Sequence, residues 1–360
     1  MYLCVFSALP SAVRSCAEIL RSVLFGTLKL NPPLMSENTS SSNTLPKVAA
    51  VIPCYKEKDR VGAVLHKFGD RVAHIIVVDD ACPEGTGAYV RENHQDPRIH
   101  VVVHDANQGV GGATMTGYAK ALELGADIIV KVDGDGQMDP AKIESLIRPI
   151  VAGRADYAKG NRFYNLDGIS AMPLTRLIGN LILSFASKMS SGYWKIFDPT
   201  NGFTAIHARV AQLLPVDRIA KGYFFESDIL FHLGVLRAVV MDVPIEAIYG
   251  DEKSHLSIPK ILLPFVWKHS GNLLRRIFYT YFLRDFSAAS LELILGLILS
   301  GFGAIYGTVK WYESFLTGVP AATGVVILAA LPVLVGSFLL ISFINYDVQN
   351  QPEAPLQLSL

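Results

Sequence analysis

Two long apolar runs near the C-terminus limit what this chain can fold into more than any other feature. Phe286 to Val309 carries one charge, Glu292, and Ala322 to Ile344 carries none. As helices rising about 1.5 Å per residue, each is long enough to cross a hydrocarbon core of about 30 Å. Two spans return the chain to the side it started from, so the residues before the first run must fold as a separate body on one side. Lys260, Lys268, Arg275, Arg276 and Arg284 precede the first run, whereas the linker between the runs offers only Lys310. Basic residues beside a span mark its cytoplasmic flank. The expectation is an integral membrane protein with a cytoplasmic N-terminal body. Cys4, Cys16, Cys54 and Cys82 form no Cys-x-x-Cys pair, and they suggest neither a zinc site nor a disulfide framework.

The 32 basic and 32 acidic residues cancel, which argues against electrostatic capture of nucleic acid. In residues 1–34, Arg14, Glu18 and Arg21 interrupt an apolar stretch that lacks the pattern of a signal peptide. That stretch reads as an amphipathic extension, or as sequence upstream of a true start at Met35. Ser36 to Thr44 reads as a polar, disordered linker.

From Lys47 the pattern becomes short β-rich runs separated by helical stretches. Val48 to Ile52, His74 to Val78, Ile99 to His104 and Ile128 to Val132 are apolar enough to be strands buried on both faces. Arg60 to Phe68, Gly85 to Glu92 and Gly111 to Leu124 read as helices between them. This alternation predicts an α/β fold, a mainly parallel sheet flanked by helices. Ligands of such sheets sit at the carboxyl ends of the strands. Pro53-Cys54-Tyr55-Lys56-Glu57, Asp79-Asp80 and Asp133-Gly134-Asp135-Gly136-Gln137 follow three of these strands, and their convergence predicts one polar cleft.

Asp133 and Asp135 can hold a hard divalent cation and a diphosphate, with Gln137 adding a neutral oxygen; Mg²⁺ or Mn²⁺ suits such ligands. The same Asp-Gly-Asp-Gly is also ordinary turn sequence. In Asn107-Gln108-Gly109-Val110-Gly111-Gly112 the dinucleotide fingerprint is broken, because Thr114 stands where its last glycine belongs. The glycines there read as a tight turn and close helix packing. Glu226 and Asp228 lie near the start of an apolar helix, where they favour its dipole.

Taken together, Ile52-Pro53-x-Tyr55-x-Glu57, Val77-Val78-Asp79-Asp80, Asn107-x-Gly109-x-Gly111, Asp133-x-Asp135-x-Gln137, Gly160-x-Arg162 and Asp198-Pro199-Thr200-Asn201-Gly202-Phe203 resemble family 2 glycosyltransferases. The resemblance covers residues 47–257. It is to the branch that contains dolichyl-phosphate mannose synthase and related polyprenyl-phosphate glycosyltransferases. It implies an A-type nucleotide-sugar transferase fold with a nucleotide-sugar donor of the GDP-mannose or UDP-glucose type, a polyprenyl or dolichyl phosphate acceptor, and inverting, metal-dependent transfer.

Carried over by position, the resemblance implies that Pro53, Tyr55, Glu57, Val78 and Asp80 surround the base and ribose of the donor. Asp133, Gly134 and Asp135 would meet its diphosphate, with Asp135 and Gln137 on Mg²⁺ or Mn²⁺. Arg162 and Arg176 would face the acceptor phosphate, which guanidinium groups bind in pairs. In mannose synthases an arginine and a lysine close over the donor phosphates. Lys253 and His255 are the nearest equivalents here, and the arginine is missing.

The expected layout is an extension and linker over 1–46, a catalytic domain over 47–257, amphipathic juxtamembrane helices over 258–284, two transmembrane helices over 285–345 and a tail over 346–360. Pro259 and Pro264 are expected to break the juxtamembrane part, whose basic residues suit a lipid headgroup surface. Gly303 and Gly307 have the spacing of a close helix contact, which allows a homo-oligomer. Two other readings are a polysaccharide synthase on the same fold and a non-catalytic membrane scaffold. Trp194, Trp267 and Trp311 lie outside any Gln-x-x-Arg-Trp motif, which speaks against the first.

Overall fold

The structure, a computed structural model, describes residues 45–164, 174–245 and 258–360, with side chains of the second and third stretches from 177 and 264 onward. Strands β1 (Val48–Cys54), β2 (Val72–Asp79) and β3 (Ile99–Val103) are joined by helices α1 (Lys58–Leu65) and α2 (Thr86–Asn93). Helix α3 (Gly109–Glu123) leads to β4 (Ile128–Lys131), and α4 (Ile143–Val151) leads to β5 (Tyr157–Asn161). After α5 (Leu174–Ser191) come β6 (Thr204–His207), α6 (Phe225–Leu236) and β7 (Val240–Pro244). The chain ends with α7 (Ile258–Phe278), α8 (Ala288–Thr317) and α9 (Thr323–Gln349).

The sheet order is β3-β2-β1-β4-β6-β5-β7, with β6 antiparallel to β4 and β5 and the other pairings parallel. Every residue of β1 is buried, and its side chains alternate between two cores. Ala49 and Val51 pack with α3 and α6 on one face, while Val48, Ala50 and Ile52 pack with α1 and α4 on the other. The expected burial of Ile99 to His104 on both faces does not hold for β3. It is an edge strand with Val103 about half exposed, because β2 is its sole neighbour in the sheet.

Helix α7 runs unbroken to Phe278 with Pro264 inside it, contrary to the expected break. Pro259 lies in its first turn, where a backbone N–H has no intrahelical acceptor to lose. The helix continues as a wider π-helical turn over Tyr279–Arg284. Ser190 Oγ and His269 Nδ1, 2.8 Å apart, join α5 to α7. On α5, Ile178, Leu181, Ile182 and Phe185 are exposed at the spacing of one helical stripe, and Trp267 and Leu274 are exposed on α7. The α5 stripe had escaped the sequence reading, because the charges that reveal amphipathicity are sparse in that helix.

Helices α8 and α9 are each long and apolar enough to cross a bilayer. They pack as a hairpin whose seam is made of small residues. A side chain on Gly303 would meet the Ala329 carbonyl at 2.6 Å, and one on Gly307 would meet Ala329 Cβ at 3.2 Å. The close contact expected of these glycines is therefore made within the chain. Ser342 Oγ donates to Glu292 at 3.0 Å across the same seam.

One buried carboxylate joins this hairpin to the sheet domain. Asp347 accepts from Arg276 Nη1 at 2.6 Å, Tyr281 Oη at 2.5 Å and Trp194 Nε1 at 2.8 Å. Beyond it the tail returns to the domain, where the backbone N–H groups of Leu356 and Gln357 donate to Asp156 at 2.9 and 2.8 Å.

Candidate active site

The site is built where the strands run out of sheet partners. At the end of β2, Asp79 shapes the turn into α2 by accepting from the N–H groups of Cys82 at 2.7 Å and Gly87 at 2.6 Å. Asp80 reaches the other way. Its Oδ1 meets His104 Nδ1 at 2.7 Å and the Gln108 N–H at 2.8 Å, and its Oδ2 takes the Gly109 N–H at 2.7 Å. Asp80 is thus buried and holds the glycine loop that opens α3. Gly109 has φ +79, in the left-handed region that favours glycine. A side chain on Gly111 would strike the Ala220 carbonyl at 2.3 Å, so this loop can lie against the segment leading into α6.

The ends of β1 and β4 meet. The Gly134 backbone lies so close to β1 that a side chain there would be 3.1 Å from Cys54 Sγ and 3.5 Å from Glu57. Burial, then the negative charges of Glu57, Asp79 and Asp133, push the Cys54 thiol well above its ordinary pKa. The Gln137 N–H donates to Asp135 Oδ1 at 3.0 Å, which holds the Asp135 carboxylate on its turn. Gln137 is exposed, Tyr55 is 45% exposed and Pro53 is buried. Val78 is fully buried in the core, so only its backbone can face a ligand.

Lysine 131 occupies the last position of β4 and is fully buried. Lys131 Nζ pairs with Asp133 Oδ1 at 2.6 Å and with Glu226 Oε1, at the start of α6, at 3.4 Å. Burial opposes its charge, but the Asp133 and Glu226 carboxylates outweigh burial and hold the ammonium above its ordinary pKa. Burial raises the Glu226 carboxyl in turn, against the pull of Lys131. In the sequence, this triad shows only as a lysine inside the apolar run Ile128 to Val132.

At the end of β5, Arg162 donates to Asp198 through Nε and Nη2, each at 2.7 Å. Asp198 is buried with φ +51, a conformation rare for a residue with a side chain, and Lys159 Nζ donates to its carbonyl. Burial works against the Asp198 charge, yet the Arg162 and Lys159 cations keep its carboxyl below the ordinary range. Burial lowers Lys159 itself to about 8. The loop that follows closes over β4: a side chain on Gly202 would be 2.4 Å from Lys131 Nζ and 2.8 Å from Asp133 Oδ2. The arginine end and the aspartate end are therefore joined by this loop. The side chain of Arg176, and Lys253 and His255, lie outside the described residues.

Behind this loop, Asp242 Oδ2 accepts from Asn161 Nδ2 at 2.7 Å and the Phe197 N–H at 2.8 Å. Burial raises its pKa from 3.8 to about 6, despite those donors and Lys159. A carboxyl raised on folding adds stability that is full below its unfolded pKa and is lost as pH rises through the folded one. Stability is thus expected to fall between about pH 4 and 6, and Asp242→Asn to flatten that slope in unfolding curves. An unchanged slope would mean that another group titrates there.

Among the described residues no group of three or more His, Cys, Asp or Glu side chains is arranged to hold a metal ion by itself. Mg²⁺ and Mn²⁺ take oxygen ligands, from one or two carboxylates together with substrate phosphates. Asp133, Asp135 and Gln137 offer only oxygen donors of that kind.

The sequence matches the family model "Glycosyl transferase family 2" over residues 49–214. It is 33% identical over 215 residues to UDP-N-acetylglucosamine--dolichyl-phosphate N-acetylglucosaminyltransferase of Methanococcus voltae, covering 56% of this chain and 85% of the relative. It is 30% identical over 203 residues to undecaprenyl-phosphate mannosyltransferase of Micrococcus luteus, covering 55% and 82%. Among solved structures it is similar to glucosyl-3-phosphoglycerate synthase of Mycobacterium tuberculosis in complex with Mn²⁺, UDP-glucose and phosphoglyceric acid. That match has a TM-score of 0.48 and 18% identity, covering 64% of this chain and 79% of the other.

Proposed function

The chain belongs to glycosyl transferase family 2, and on that premise we propose that it moves a sugar from a nucleotide donor to a polyprenyl phosphate at the cytoplasmic face of a membrane, with inversion. The observation that carries this reading is the grouping of charges at the strand ends: Asp133 and Glu226 around Lys131, with the Arg162–Asp198 pair joined to them by the loop through Gly202. The relatives named for dolichyl and undecaprenyl phosphate supply the acceptor class.

In this reading Pro53, Tyr55 and Glu57 take the nucleoside end of the donor, and Asp80 acts through the loop it holds. Asp133, Gly134 and Asp135 take the diphosphate. Asp135 and Gln137 would hold Mg²⁺ or Mn²⁺, which when bound offsets negative charge on the departing diphosphate. Lys131 fixes the direction of the Asp133 carboxylate. Arg162, with Asp198 setting the plane of its guanidinium, faces the acceptor phosphate, and Arg176 and Lys253 are assigned to acceptor and donor phosphates respectively.

An oxygen of the lipid phosphate attacks the anomeric carbon in line, forming one C–O bond while the bond to the diphosphate breaks and its oxygen keeps the electron pair. A phosphate monoester is largely dianionic at pH 7, so no side chain need remove a proton. The exposed apolar stripes of α5 and α7 would rest on the bilayer and bring the lipid phosphate to the cleft.

The test is to incubate the full-length protein with labelled GDP-mannose, UDP-glucose or UDP-N-acetylglucosamine, polyprenyl phosphate, and Mg²⁺ or Mn²⁺, and to extract the lipid. Label from one donor is expected in the lipid phase and only when the lipid phosphate is present. Label that reaches the lipid phase from none of them would overturn the proposal.

A further inference from the structure

At the far end of α6 from Glu226, about 16 Å along the helix by its rise per residue, a cavity opens between the sheet domain and the hairpin. Gly192, Gly234, Arg237, Arg276, Arg284 and Asp347 are among its lining residues. Its charge is unbalanced. Arg276 and Asp347 neutralise each other at 2.6 Å. Asp347 is the one carboxylate among the lining residues, which leaves Arg237 and Arg284 as surplus cations.

Both surplus guanidinium groups are held by neutral acceptors. Arg237 Nη1 donates to Asn350 Oδ1 at 3.2 Å, and Arg284 Nη1 donates to the Val235 carbonyl at 2.9 Å. Arg284 is exposed as a residue, but partial burial of its guanidinium, then the Arg237 charge, push it below its ordinary pKa against the opposing pull of Tyr279, Tyr281 and Asp285. Two like charges lining one cavity repel, and an anion between them relieves that repulsion. Arg237 also caps α6 in the left-handed region, with φ 63, a position where glycine is the usual residue. A side chain on Gly192 would be 3.0 Å from Arg276 Nη1, so the glycine lets that guanidinium lie close against the wall.

The surroundings indicate the source of the anion. The Phe278, Phe282 and Phe286 rings follow one another at 5.9 and 6.2 Å, and Leu283 and Phe286 are 56% and 61% exposed, immediately before α8 begins at Ala288. An outward aromatic and apolar run just ahead of a spanning helix lies at headgroup depth. We propose that Arg237 and Arg284 form a second phosphate site, separate from the transfer cleft, which binds the headgroup phosphate of an anionic bilayer lipid. Two planar guanidinium groups suit the oxygens of one phosphate.

The experiment is native mass spectrometry of the full-length protein in detergent, titrated with phosphatidylglycerol, phosphatidylcholine or inorganic phosphate. The wild type is expected to retain one phosphatidylglycerol at least tenfold better than phosphatidylcholine. In the Arg237→Gln, Arg284→Gln double variant this preference is expected to vanish, while Arg275→Gln, altered on the exposed face of α7, keeps it. Arg284→Gln alone changes an exposed position and is expected to weaken retention even if the double variant fails to fold. Equal retention by wild type and Arg284→Gln, or inorganic phosphate binding in place of the lipid, would overturn the proposal. The readout is binding, so it stands or falls independently of sugar transfer.

Discussion

Replacing Lys131 with methionine is expected to be the most damaging single change in this protein. The variant keeps most of the volume but leaves Asp133 and Glu226 facing each other with no cation between them. Removing one partner of a buried ion pair costs about 3–5 kcal/mol. Glu226 stays largely buried without its cation, whereas Asp133, 30% exposed, regains some solvent, so the lower end of that range is expected. Thermal unfolding in detergent is expected to shift down markedly, and label transfer to lipid to fall below detection. Glu226→Gln added to Lys131→Met should restore part of the stability without restoring transfer. A Lys131→Met protein that unfolds like the wild type would show that the triad is not the brace described here.

The second large effect is expected at Arg162. Taking away a phosphate-binding donor of this kind costs on the order of 10²–10³ in rate. Arg162→Ala is therefore expected to lower kcat/KM for the lipid acceptor by about 10²-fold while donor binding, followed by calorimetry, changes little. Arg162→Lys should recover only part of it, because an ammonium cannot reproduce the two-pronged pairing with Asp198. If Arg162→Ala weakens donor and acceptor equally, the arginine supports the cleft as a whole and does not select the acceptor.

The sheet was legible because its central strands are apolar and rich in β-branched residues, and the acidic clusters at their ends mark the proposed donor site. Strand limits were less legible. Pairing carries β1 on to Cys54 and β2 on to Asp79, past the apolar runs that announce them. Pro264 suggested a break that helix packing overrides, since α7 is pinned to α5 through His269 and Arg276.

The brace around Asp133 was hidden for a different reason. Lys131 and Glu226 are 95 positions apart, and Arg162 and Asp198 are 36 apart. A lysine in a strand reads locally as a polar interruption, and a glutamate at a helix start reads as a dipole partner. Only the fold brings them face to face. The joint at Asp347 was equally hidden, because its partners come from two distant segments, Trp194 from one and Arg276 and Tyr281 from the other.

The central claim is that a divalent cation on the Asp135 turn serves a lipid phosphate acceptor. Its most direct test is a metal titration of label transfer in liposomes containing polyprenyl phosphate, after chelator treatment, for wild type and Asp135→Ala. Wild-type transfer is expected to vanish with chelator and return with Mg²⁺ or Mn²⁺. The variant should still co-sediment with the liposomes and stay inactive at every metal concentration. Undiminished transfer by Asp135→Ala, or by wild type in excess chelator, would contradict the account.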